Sequence, residues 1–259
     1  MDISSIVGLI VGVVALLVGM TLKGVTPDAL LNPAAILIII VGTIGAVIIA
    51  FPMDELKRVP KLFGVIFKEQ KLASDKELIA LFSEWADVAR REGLLSLESK
   101  ADDVQDLFLK NGLGLAIDGQ KPDYIRDVLT EEVDAMSERH AAGALIFTQA
   151  GTYAPTLGVL GAVVGLIAAL KDMNDIDALG YAISAAFVAT LLGIFTGYVL
   201  WHPFANKLKR KSAVEVQQKM MMIEGILSVL EGEAPRVIEQ KLASYLPASE
   251  RKKLIQEEE

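Results

Sequence analysis

The sequence predicts an all-α integral membrane protein. It has four transmembrane helices, a helical cytoplasmic domain between spans 2 and 3, and a helical C-terminal tail. Three observations carry this expectation. The 259-residue chain is 53% hydrophobic with a mean hydropathy of +0.45, more apolar than ordinary soluble domains. Asp, Glu, Lys, Arg and His are absent from four windows, residues 3–22, 33–51, 141–170 and 178–201. Each window is close to or above the ~20 residues a helix needs to cross roughly 30 Å of hydrocarbon. The charge is gathered instead into two long stretches, residues 52–140 and 202–259. Four buried helices of a soluble core would not need so many long uncharged windows.

The first window follows "MD", with no Lys or Arg ahead of it, and its end, "VGMTLKG", lacks a small-x-small cleavage site. It is expected to stay in the protein as a span rather than be removed as a signal peptide. Spans 1 and 2 with a short external link then occupy residues 1–51, and spans 3 and 4 with a second short link occupy 141–201. The cytoplasmic domain covers 52–140 and the tail 202–259. Only Lys23 and Lys171 lie in the short links, so 23 of the 25 basic residues fall in the long loop and tail. The stretches next to the membrane, "PMDELKRVPKLFGVIFKEQK" and "HPFANKLKRKSAVEVQQK", hold five basic residues each. The positive-inside rule places both on the cytoplasmic side of the plasma membrane, with both termini inside.

The long loop reads as helices. "SDKELIALFSEWADVARREG" opens with a capping box, Ser74 to Glu77, and stops at Gly93. Leu78, Leu81, Phe82, Trp85, Val88 and Ala89 follow helical spacing, with Asp75, Glu84, Asp87 and Arg91 opposite. "LESKADDVQDLFLKNG" is expected to end at Asn111–Gly112, and "GLGLAIDG" (112–119) reads as a helix stop and turn rather than a nucleotide loop. "KPDYIRDVLTEEVDAMSERH" begins with Pro122 in its first turn and meets no breaker before the third span, so one long helix is expected. The tail predicts two amphipathic helices, one through Met220, Ile223, Leu227 and Leu230 and one after Pro235.

The sequence contains no phosphate loop, HExxH or nucleophile elbow, and no cysteine, so catalysis, a metal and a cofactor are not expected. Its net charge of −8 argues against a nucleic-acid partner. His140 and His202 stand at the two cytoplasmic boundaries, where interfacial anchoring is the simplest reading. In the spans, Gly8 and Gly12, Gly161 and Gly165, and Gly193 and Gly197 form GxxxG pairs, with Gly158 on the face of the second pair. Such faces allow close helix approach, within one chain or between chains. Thr148, Thr152 and Thr156 form one stripe on the third span, beside Gln149 and Tyr153, and the fourth span offers Ser184, Thr190 and Thr196. Two readings stay open for them: hydroxyls bonded back to their own helix, or the wall of an ion path. Pro155 removes a helix hydrogen bond in the third span. Ion pathways place ionisable side chains inside the membrane, and these spans hold none. Either there is no path, or a partner polypeptide supplies the titrating group.

"ARREGLLSLE" (89–98), "AGTYAPTLGVLGAVVGLIAAL" (150–170), "ISAAFVATLLGIFTGYVLWHPFANKLK" (183–209) and "EGILSVLEGEAPRVIEQKLASYLP" (224–247), in this four-span order, resemble the MotA family of flagellar motor stator proteins over nearly the whole chain. The third and fourth spans are shared more loosely with the ExbB/TolQ energy transducers, the alternative reading, which couple proton flow to envelope transport or integrity. The stator resemblance implies a pentamer around two copies of a MotB-type single-span partner that carries the membrane aspartate. Ion flow past that aspartate would turn the ring against the rotor switch protein FliG. It implies rotor contacts at Arg90 and Glu98, assisted by Arg91 and Glu92. It also implies conformational coupling at Pro155 and Pro203, and Thr190 facing the partner's acid. Sodium-driven relatives carry threonine where this chain has Ala162; a methyl there supplies no oxygen ligand, which implies H⁺ as the transported ion.

Overall fold

The computed structural model describes residues 2–70, 72–170 and 176–251, apart from the side chains of residues 102 and 103. Lys171, most of the second link and the terminal "EEE" lie outside the described residues. Among the described residues the secondary structure is helical throughout, and four helices are long and apolar enough to cross a membrane: Ile3–Leu22, Pro33–Ala50, Pro122–Ala169 and Ile176–Leu230. The chain divides into two compact units, residues 1–70 with 140–210 and residues 71–139 with 211–259.

The first unit holds the spans. Asn32 caps the second span, its side chain accepting from Ala35 N–H, and Pro33 takes the first helical position. Two spans are not uniform α-helices. The second contains a π segment at Leu37–Val41, and the fourth contains one at Thr196–Trp201, ending two residues before Pro203. Proline has no N–H to continue the ladder, and a wider turn just ahead of it is one way to absorb that break. Where the fourth span ends, Phe63, Phe67, Phe147, Trp201 and Phe204 pack edge to face around buried Ile66, Ala144 and Ala205. Beside them, Lys207 Nζ lies 2.8 Å from Asp2 Oδ2 and donates to Ser4 Oγ at 2.8 Å, tying the start of the first span to the helix that leaves the fourth.

The second unit is built on a core of Leu78, Phe82, Trp85, Leu97, Leu113, Leu129, Met222, Ile226 and Ile238, all with almost no exposure. Helix Asp75–Glu92 starts with the expected capping box: Ser74 Oγ accepts from Glu77 N–H and Glu77 accepts from Ser74 N–H. It ends at Gly93, whose φ of +86° suits glycine.

Two expectations are corrected. Helix Leu107–Ile117 runs through Asn111 and Gly112 and stops only at Asp118 and Gly119. Gly112 is a packing residue, not a stop, because a Cβ there would sit 2.5 Å from Ile226 and 2.9 Å from Leu129. The first tail helix is not separate either. Residues Met220 to Leu230 are the end of the helix that begins at Ile176, and the amphipathic pattern marks where that helix joins the second core. The helix after Pro235 is present as Pro235–Leu242.

Candidate functional site

The third and fourth spans meet along an antiparallel seam made of backbone. A Cβ on Gly158 would lie 2.9 Å from Ala189 O and 2.9 Å from Gly193 Cα. A Cβ on Gly193 would lie 2.8 Å from Ala154 O and 2.8 Å from Gly158 Cα. Further along the seam, toward Trp201, Gly197 receives Gly151 O and the ring of Pro155, each at 2.8 Å from such a Cβ. Gly151 in turn faces the His202 ring. At Gly158 and Gly193 no side chain separates the two helices, the arrangement small residues permit in membranes, whereas at Gly151 and Gly197 the rings of His202 and Pro155 fill the contact.

The structure thus brings together Gly158, Gly193, Gly197 and Pro155 from the predicted set. Gly161 joins less tightly, at 3.7 Å from Ala189 and Ile38. Gly8 and Gly165 meet nothing within 4 Å, and Gly12 faces Val199 of the fourth span. Ala162 packs toward the cluster of Ala35, Ile39, Ala154 and Ala189. Pro203 is exposed and borders a recess with Ser5, Tyr198 and Lys207.

The threonines bond back to their own helices. Thr148 donates to Ala144 O at 3.1 Å, Thr152 to Thr148 O at 3.1 Å, and Thr156 to Thr152 O at 3.4 Å. Thr190 donates to Ala186 O at 3.2 Å and Thr196 to Leu192 O at 2.8 Å. Each hydroxyl oxygen keeps acceptor capacity. Thr152 and Thr156 are exposed on the single chain, on the face that also presents Val159 and Val163. Thr190 borders an apolar groove of about 670 Å³ with Leu16 and Gly19 of the first span and Lys23 just beyond it, and neither Thr152 nor Thr156 lines it. Within one chain these hydroxyls do not converge on a common cavity.

In the second unit, Arg90, Arg91, Glu92 and Glu98 are all exposed and flank the Gly93 turn. Arg91 reaches back to Asp87 at 2.9 Å. Arg90, Glu92 and Glu98 make no ion pair among the described residues. Leu97, fully buried, pins the strip between them, and Leu95 stands out at 72% exposure. The turn therefore presents charges of both signs around one apolar side chain on a rigid base.

Ion pairs brace this unit from within. Lys219, 8% exposed, donates to both oxygens of Asp106 at 2.8 and 2.6 Å, while Asp106 caps its helix through Leu109 N–H. Partial burial pushes the Asp106 carboxyl up, but the bonds from Lys219 and from Leu109 N–H outweigh it and hold the group below its usual value. Glu224 behaves likewise: burial raises it, and Lys241 with Arg126 lowers it further. Lys241 is correspondingly raised, its burial outweighed by Glu224 and Glu233. Among the described residues no group of three His, Cys, Asp or Glu is placed to hold a metal ion.

The π segments, the Gly151–His202 contact and Trp201 were not singled out by sequence reasoning. The nearest signal was the spacing of Gly151 and Gly197 against Pro155, which becomes readable only once the register of the two spans is known.

Comparison with known proteins agrees with this geometry. The model of the MotA/TolQ/ExbB proton channel family matches residues 100–221, and that of the motility protein A N-terminal region matches residues 6–93. Motility protein A of Bacillus subtilis is 68% identical over 259 residues, covering 100% of this chain and 96% of that protein. The flagellar MotAB stator complex from Bacillus subtilis superposes with a TM-score of 0.94 at 69% identity, over 98% of this chain and 99% of that one. The MotAB structure of C. jejuni gives a TM-score of 0.91 at 33% identity, over 96% and 97%. Matched over its whole length, the chain belongs to the motility protein A branch of the MotA/TolQ/ExbB proton channel family.

Proposed function

We propose that this chain is a stator subunit of the bacterial flagellar motor, set in the cytoplasmic membrane with both termini inside. Together with a MotB-type single-span partner it forms a complex that converts proton motive force into torque. The observation that carries this is the full-length likeness to a motility protein and to a MotAB stator complex. The spans add a physical reason for a partner. They hold no Asp, Glu, Lys, Arg or His, so the group that takes up and releases the ion belongs to another polypeptide. The full-length likeness to motility proteins does not favour the envelope-transducer alternative.

In this reading five copies surround two partner chains and sit among membrane lipids. Thr190, Thr156 and Thr152 offer hydroxyl oxygens along the path past the partner's acid. Ala162 contributes only a methyl group, which suits H⁺ rather than dehydrated Na⁺. Pro155, seated on Gly197, and Pro203, following the π segment, convert protonation into helix movement. Arg90 and Glu98, with Arg91 and Glu92, engage the rotor protein FliG through charges of opposite sign. The chain itself is not an enzyme.

The test is deletion of this gene in a motile host without a second stator set. Swimming is lost while filaments remain, and the wild-type gene restores it only alongside its single-span partner. Normal swimming after clean deletion overturns the proposal.

A further inference from the structure

The span threonines share a habit that one of them breaks. Thr21 donates to Val18 O, and Thr148, Thr152, Thr156, Thr190 and Thr196 each donate to a carbonyl of their own helix. Thr43, in the second span, does not. It is 2% exposed, and its Oγ1 is buried without a partner among the described residues. The same holds for the indole Nε1 of Trp201 in the fourth span.

The two groups border the same pair of apolar clusters. Trp201 packs against the cluster containing Ile39 and against the cluster containing Val47. Those residues lie one turn before and one turn after Thr43 on the same helix face. Each group also adjoins a π segment: Thr43 follows Leu37–Val41, and Trp201 ends Thr196–Trp201. The chemistry is complementary. An indole N–H only donates, and a hydroxyl both donates and accepts. Inside a membrane no bulk water satisfies either group, and a buried water is held where two or more polar groups converge.

We propose that Thr43 Oγ1 and Trp201 Nε1 form a buried hydration site between the second and fourth spans. It takes one water molecule, which accepts from the indole N–H and donates to the threonine hydroxyl. The site ties the second span to the π segment that precedes Pro203. Thr43 and Trp201 are positioning residues there, not part of the ion path.

The experiment uses the full chain, co-purified with its membrane partner, in liposomes with ¹⁵N-indole tryptophan, read by proton-detected magic-angle-spinning NMR. The chain has two tryptophans, Trp85 and Trp201, and Trp201→Phe assigns the signal by its loss. The Trp201 indole proton shows a hydrogen-bonded downfield shift and a cross-peak to water. Thr43→Val moves that signal upfield and removes the cross-peak, while Trp85, buried in the other unit, keeps its position as an internal control. Thr43→Ser, which retains the hydroxyl, keeps the wild-type signal. A Trp201 signal indifferent to Thr43→Val, absence of the water cross-peak in the wild type, or equal shifts in the Val and Ser variants would each overturn the proposal.

Discussion

Replacing Gly197 by alanine tests the seam most directly. The new Cβ would meet Gly151 O at 2.8 Å, Pro155 Cγ at 2.8 Å and Pro155 Cδ at 2.9 Å, where ordinary contact begins at 3.4 Å. None of these atoms ends a flexible side chain. One is backbone, and two belong to a ring fixed to its own backbone. Relief therefore requires the third and fourth spans to part by about half an ångström or more, which opens the neighbouring Gly158–Gly193 contact as well. Overpacking of this kind costs about 1–3 kcal/mol, roughly a 5- to 150-fold shift in the folding or assembly equilibrium. The assay is thermal unfolding of the complex with its partner in detergent, with the number of torque-generating units in cells as a second readout. Gly165→Ala, where a Cβ meets nothing within 4 Å, is the control and unfolds as the wild type does. Adding Pro155→Ala to Gly197→Ala recovers part of the loss, because the Gly151 O clash remains. If Gly197→Ala unfolds at the same temperature as Gly165→Ala, the seam is not the close contact described and the reasoning fails.

Other outcomes follow from other sites. Lys219→Met removes both bonds to Asp106 and destabilises helix Leu107–Ile117 by about 1–2 kcal/mol, reduced because Asp106 is one-third exposed, and faster amide exchange in that helix is the measurement. Asp106 has a folded pKa below its unfolded value, so its stabilisation is present above about pH 3.9 and disappears as pH falls through the lower folded value. The protection gap between wild type and Asp106→Asn therefore narrows on acidification, and a gap that widens contradicts the pairing. Arg90→Glu and Glu98→Lys each reduce torque per stator without lowering stability, since both side chains are exposed, and a compensating reversal on the rotor restores it. Wild-type torque in both single variants rules out contact at this turn. Swimming driven by the wild-type complex follows the proton gradient and ignores external Na⁺; loss of swimming in Na⁺-free medium would contradict the role given to Ala162.

The sequence was most readable where local chemistry decides the outcome. Uncharged windows located four spans, Ser74 and Glu77 located a helix start, Gly93 its end, and the lack of a breaker between Pro122 and the third span gave one helix, which runs on through Pro155 to Ala169. It was least readable where tertiary packing overrides local preference. Asn111–Gly112 carries a turn signal, yet Ile226 and Leu129 need the space above Gly112 and the helix continues. The π segment at Leu37–Val41 has no local signature, and the one at Thr196–Trp201 has only Pro203 two residues beyond it. For the site, the glycines and prolines could be nominated, but their partners could not. That Gly197 holds Pro155, while Gly165 holds nothing, depends on the register between helices that are distant in sequence.

A joint of backbone against backbone has little slack. Where Gly158 lies on Gly193, no rotamer can turn to absorb a displacement, so a push on one span is a push on both. The compliance of the hairpin is left to the π segment at Thr196–Trp201, which carries one residue more than an α turn. Such a surplus residue can migrate along a helix without breaking it. Each one-residue step turns the residues it passes by about 100° and advances them by about 1.5 Å. The fourth span thus pairs a stiff hinge plate with a single discrete ratchet tooth, and its movements are expected to be stepwise rather than graded.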